Sequence, residues 1–161
     1  MGDATDKDGF ELSATRRTLP IALLRAREQI MDRFRPMLQR HGVTEQQWRV
    51  LRVLYEAPDT DMGALGSAAS ILGPSLSRMT RGLEDRGLIE VRRDPGDGRR
   101  ARLRLSEAGT TLIHQVTPES AAIYAEIEQR VGRERIETLL DGLEALLRDL
   151  GDDAQTKDAS R

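Results

Sequence analysis

Apolar residues recur at three- and four-residue spacing along most of this chain and at two-residue spacing in one place. The first pattern marks helices with one buried face, the second marks strands. Leu23/Leu24, Ile30/Met31, Phe34 and Leu38 predict a helix over 18–40, with Pro36 distorting its last turn or ending its hydrogen bonding early and Gly42 stopping it. Thr44, with Gln47 three residues on, opens a second helix whose buried face is Trp48, Leu51, Leu54 and Tyr55. Asp61 caps a short helix over 62–69, and Ile71, Leu72 and Gly73 form a turn. Pro74 starts a further helix that ends at Gly87, with Leu76, Met79, Thr80 and Leu83 on one face.

The period then changes. Ile89 and Val91 alternate with Glu90 and Arg92, and Leu103 and Leu105 alternate with Arg102 and Arg104. Asp94-Pro95-Gly96-Asp97-Gly98 lies between them, so a β-hairpin with a long tip is expected. Ser106 caps the next helix, which Thr117-Pro118 should kink. After Gly132 a last helix carries Ile136, Leu139, Leu143, Leu146 and Leu150, widened by Leu140 and Leu147. The polar ends, 1–15 and 151–161, read as mobile arms.

A short helix, a tight turn, a second helix and a hairpin make a winged helix-turn-helix over 42–105. The expected fold is mainly α with a small β-hairpin wing, flanked by dimerisation helices at 16–41 and 106–150. Those outer helices keep apolar stripes too wide for a small winged helix to cover, which predicts burial against a second copy.

Composition sharpens this picture. The 161 residues carry a net charge of −2, so binding to nucleic acid requires a local patch. Between Pro74 and Arg104 nine arginines face five acids, a basic stripe on an otherwise acidic chain. Only Lys7 and Lys157 are lysines; the other basic residues are arginines, whose planar fork suits phosphates and guanine edges. There is no Cys and only His41 and His114, which excludes disulfides, thiol-based oxidant sensing and a His-only metal cluster. No apolar run has the roughly 18 residues of a membrane span, and the start lacks the apolar core of a signal peptide. No phosphate loop, metal spacing or catalytic triad stands out, so no catalytic residue, metal or cofactor is expected and the protein reads as a non-enzyme.

Ser75, Ser77 and Arg78, at the start of the second helix of the pair, are expected at base edges, where Arg grips guanine with two bonds. Arg81, one turn on, is expected at phosphate. Arg102 and Arg104 point to one face of the hairpin and are expected to line the phosphates, with Arg100 extending the basic surface at the tip; the alternative for Arg102 and Arg104 is cross-strand solubility. Arg27 lies on the apolar stripe of the first helix, so it pairs with an acid such as Asp32 or Glu28 of the other subunit, snorkels to solvent, or receives the carboxylate of an aromatic acid.

Three stretches resemble the MarR family of bacterial transcription regulators: 38–51 (LQRHGVTEQQWRVL), 76–89 (LSRMTRGLEDRGLI) and 94–109 (DPGDGRRARLRLSEAG). Residues 21–28 and 34–36 are most similar to regulators of homoprotocatechuate (4-hydroxyphenylacetate) degradation operons. The resemblance implies that Asp97 braces the wing and that Arg99, or Arg100 in its place, enters the minor groove. It also implies a homodimer on double-stranded DNA. Two-fold symmetry then sets the recognition helices about 34 Å apart, and the operator is pseudo-palindromic. An effector cleft approached by Arg25, Arg27, His41, Trp48 and Arg49 follows from the same likeness. The expected function is a cytoplasmic repressor of an aromatic-acid catabolic operon, released by a small phenol or aromatic carboxylate and found on the nucleoid when bound. The alternatives are a regulator of efflux or stress genes sensing diverse lipophilic phenols, and a winged-helix module that binds protein.

Overall fold

The computed structural model describes residues 17–158. The arm 1–15 lies outside the described residues, as do 159–161 and the side chains of Asp94, Asp97, Arg99 and 152–158. The chain divides into two compact units, Met1–Glu119 and Ser120–Arg161.

The first unit begins with α1, Leu19–Arg40. Pro36 does not end it early: the helix runs on to Arg40 and stops at His41 and Gly42, whose φ of +71° suits a residue without Cβ. Its buried residues are Phe34, Met37 and Leu38, while Leu23, Leu24 and Ile30 are exposed. The second helix, α2 (Glu45–Glu56), opens on a full capping box. The Gln47 amide donates to Thr44 Oγ1 at 3.2 Å, and the Thr44 amide donates to Gln47 Oε1 at 3.0 Å. Val50, Leu51 and Leu54 form its buried face. Two expected members differ: Trp48 is half-buried, and Tyr55 is exposed with its ring edge-on to His114. A tyrosine can keep its hydroxyl wet at such a rim, and here it meets His114 Nε2 at 3.3 Å.

A two-residue strand, β1 (Thr60–Asp61), follows and was not legible in the sequence. It precedes α3 (Met62–Ala69), where Asp61 accepts from the Ala64 amide at 2.9 Å. Ser70 takes the left-handed conformation that turns the chain into α4 (Gly73–Asp85). Gly73, rather than Pro74, is the first helical residue. Leu76, Thr80 and Leu83 are buried and Met79 half-buried, as the spacing requires.

The hairpin is β2 (Ile89–Asp94) and β3 (Asp97–Leu105). Its tip is shorter than expected, because backbone pairing reaches Asp94↔Asp97 and leaves Pro95-Gly96 as the turn. Strand order is β1-β3-β2, antiparallel throughout, with Thr60↔Leu103 and Val91↔Leu103 in register. Leu103 is therefore central to the sheet and fully buried.

The last helix of this unit is the N-terminal part of α5 (Glu107–Val131). Ser106 caps it, accepting from the Gly109 amide at 3.0 Å and donating to the Gly87 carbonyl at 2.6 Å. The Ser106 amide donates to the Leu88 carbonyl at 3.1 Å. Gly109 packs so closely that an added Cβ would collide with that carbonyl oxygen. The end of α4, the start of β2 and the start of α5 are thus knitted at one point. Ile113 and Val116 complete the core. The α5 helix is unbroken through Pro118, and Thr117 Oγ1 donates to the Ile113 carbonyl at 2.7 Å.

The second unit holds the rest of α5 and α6 (Arg133–Asp158), joined at Gly132 with φ +92°. Helix α6 continues past Leu150, where the sequence places its end. Tyr124, Val131, Leu139, Leu140, Leu147 and Leu150 are exposed apolar residues here. Helix α1 and the start of α5 fall in the same compact unit as the winged helix.

Candidate nucleic-acid interface

Ser75, Ser77, Arg78 and Arg81 all lie on the exposed side of α4, opposite Leu76, Thr80 and Leu83. Among the described residues none of these four side chains has a hydrogen-bond or ion-pair partner; only the Ser77 carbonyl is used, accepting from Thr80 Oγ1 at 3.2 Å. The helix therefore presents short hydroxyls at its start and guanidinium groups behind them, which is what a groove reader needs.

The wing arginines divide by partner. Arg104 donates through Nε to Glu90 Oε2 at 2.8 Å and lies with its NH2 2.6 Å from the same oxygen, across the β2–β3 pair. This holds the Glu90 carboxyl below its usual range, with Arg92 a further contributor. The cross-strand alternative thus describes Arg104. Arg102 donates to the Asp59 carbonyl at 3.2 Å and ties β3 to the turn before β1. Arg100 is exposed. Asp97 and Arg99 sit in β3 by backbone, with side chains outside the described residues.

The expected effector residues do not form one group. Successive helical residues turn about 100°, so Arg25 and Arg27 point from nearly opposite faces of α1. His41 lies 14 residues beyond Arg27, about 21 Å along the axis. It engages Glu119 instead: His41 Nε2 and Arg40 NH2 each meet a Glu119 carboxylate oxygen at 2.7 Å. Those two contacts hold the Glu119 carboxyl below its usual range, Arg40 more than His41.

Arg27, Trp48 and Arg49 remain at the α1–α2 junction. Arg27 pairs with Glu28 at 3.1 Å and with Glu45. Arg35 joins the same acids, 2.7 Å from Glu28, 2.7 Å from Asp32 and 3.5 Å from Glu45. The expected acid partner of Arg27 is therefore in its own chain. Glu45, only 17% exposed, was not singled out in the sequence; its place one turn before Arg49 was the available signal. Arg49 Nε is the one buried side-chain nitrogen or oxygen without a hydrogen-bond partner among the described residues. Burial lowers the pKa of Arg49, and the neighbouring Arg27 charge lowers it further. Among the described residues no cluster suited to a metal ion occurs, and no helix is long and apolar enough to cross a membrane.

A short helix capped by Asp61, a left-handed turn at Ser70, an exposed α4 with serines and arginines, and a basic hairpin define a winged helix-turn-helix DNA-binding protein. The sequence pattern of the MarR family matches residues 41–100. The homoprotocatechuate degradative operon repressor of Escherichia coli is 36% identical over 130 residues, 81% of this chain and 88% of that protein. The crystal structure of NadR in complex with 4-hydroxyphenylacetate is 36% identical, covers 85% of this chain and 99% of that one, and superposes with a TM-score of 0.74. The repressor CouR bound to a 23-mer DNA duplex is 26% identical, covers 85% and 99% of the two chains, and has a TM-score of 0.76. The chain belongs to the MarR family. It is a transcriptional regulator that binds DNA as a dimer, and not an enzyme.

Proposed function

We propose that this regulator represses an operon for the breakdown of an aromatic acid and leaves its operator when that acid binds. The observation that carries the reading is the likeness, over most of the chain, to a repressor of homoprotocatechuate degradation and to a protein crystallised with 4-hydroxyphenylacetate. It works in the bacterial cytoplasm, on the chromosome. Ser75, Ser77 and Arg78 read bases and Arg81 meets phosphate. Arg99 and Arg100 reach the minor groove, Asp97 braces the tip, and Arg102 lines phosphates from its anchor on the Asp59 carbonyl.

The effector carboxylate is received where Arg27 and Arg49 approach each other beside Trp48. An anion there satisfies the buried Arg49 Nε and relieves the repulsion between the two guanidinium groups. It releases DNA by binding one spacing of the paired recognition helices better than another.

In a thermal-shift titration, 4-hydroxyphenylacetate raises Tm and, in a mobility-shift assay, frees the operator. Arg49→Leu keeps the dimer and loses at least about tenfold in effector affinity, the worth of a hydrogen bond to a charged group. Equal, weak responses to several unrelated phenols would favour a drug-efflux or stress regulator. No response to any aromatic acid, with DNA binding intact, would overturn the effector reading alone.

A further inference from the structure

Leu72 breaks two rules at once. It is 81% exposed, the most exposed of the large apolar residues among those described. It is also the N-cap of α4, a position where Ser, Thr, Asp and Asn are favoured and Leu is among the poorest choices. The helix accordingly starts with no side-chain cap bond. Thr44, Asp61 and Ser106 each supply such a bond elsewhere in the same unit. A residue that forgoes a cap and leaves an isobutyl group in water marks a place where fold and function diverge.

The location says what that function is. Leu72 precedes Gly73, where an added Cβ would meet nothing within 4 Å beyond its own helix, and Pro74, which offers no N–H. Ser75, three residues on, is exposed. The leading edge of the recognition helix therefore carries one bulky apolar group among small residues. It borders a hollow of about 390 Å³ between α3 and α4, lined also by Met62, Gly66, Ile71 and Leu76, yet it does not fill that hollow. In the major groove only thymine offers an apolar group to such a side chain, its 5-methyl.

We propose that Leu72 is a specificity-determining residue that reads the 5-methyl group of one thymine in each operator half-site. The inference rests on the DNA-binding assignment of α4. Contact with DNA removes both the leucine and the methyl from water, so the worse cap in the free protein is offset only on a site with thymine at that position.

The test begins with selection of duplexes from a random-sequence pool by the full-length protein. Each thymine of the enriched site is then replaced by deoxyuridine, which lacks only the 5-methyl. Wild type is expected to lose roughly fourfold in affinity at one thymine per half-site, the effect of one buried methyl. Leu72→Ser is expected to bind the thymine and deoxyuridine sites equally while its Tm rises by about 2–4 °C from the restored cap. The proposal is overturned if wild type enriches a site but discriminates at no thymine, or if Leu72→Ser discriminates as wild type does; Leu72 then belongs to the α3–α4 hollow. If wild type enriches no duplex at all, the DNA-binding assignment fails first.

Discussion

Gly109 shows how a single residue can position a whole interface. Its missing side chain lets α5 press against the Leu88 carbonyl, and Ser106 bonds both to that segment and to Gly87. A methyl group at Gly109 forces backbone apart rather than a flexible side chain. Gly109→Ala is expected to cost about 1–3 kcal/mol in urea denaturation and to weaken operator binding, because the end of α4 and the base of the wing are displaced together. Unchanged stability would show that the contact yields at no cost. The sequence exposed Ser106 as a cap but gave no sign of what Gly109 touches, since Leu88 lies 21 residues away.

Elements stand or fall on local rules that the sequence carried well. Capping residues, left-handed glycines and apolar spacing act within one turn, so α2 starts where Thr44 places it and α3 and α4 lie within two residues of their expected bounds. Asp61 offers a test at this scale. Its carboxyl is held below the usual range, first by the Ala64 amide and then by Arg102. Such a depressed carboxylate adds stability that is present above its unfolded pKa and lost as the pH falls through its folded one. Asp61→Ala is expected to lower Tm by about 2–4 °C at neutral pH. Asp61→Asn keeps a cap and shows a shallower loss of Tm on acidification; matching acid profiles for wild type and Asp61→Asn would refute the assignment. Strand β1 escaped the reading because two residues carry no period, and only pairing with Leu103 and Arg102 makes them a strand.

At the scale of the molecule, each unit leaves apolar residues in water: Leu19, Leu23, Leu24 and Ile30 in one, Leu139, Leu140, Leu147 and Leu150 in the other. We propose that these are the surfaces a second copy covers in a symmetric dimer. The dimer then meets DNA chiefly through phosphates. If about eight are neutralised, log K falls with log salt at a slope near −7. Arg99→Ala is expected to weaken operator binding and reduce that slope while light scattering still returns the dimer mass. Unchanged affinity at moderate salt would exclude Arg99 from the interface.

The sequence by itself determined the helices, the hairpin, their order and the face of α4 that carries Ser75, Ser77, Arg78 and Arg81. Those follow from periodicity and capping, which are short-range. Which charges are free and which are engaged was decided only by tertiary structure. Arg104 is held by Glu90, His41 by Glu119, and Arg27 by Glu28 and Glu45. Charge acts through space, and residues 78 positions apart along the chain, such as His41 and Glu119, become neighbours only when the helices pack. The same packing left Arg49 Nε without a partner and Leu72 without cover.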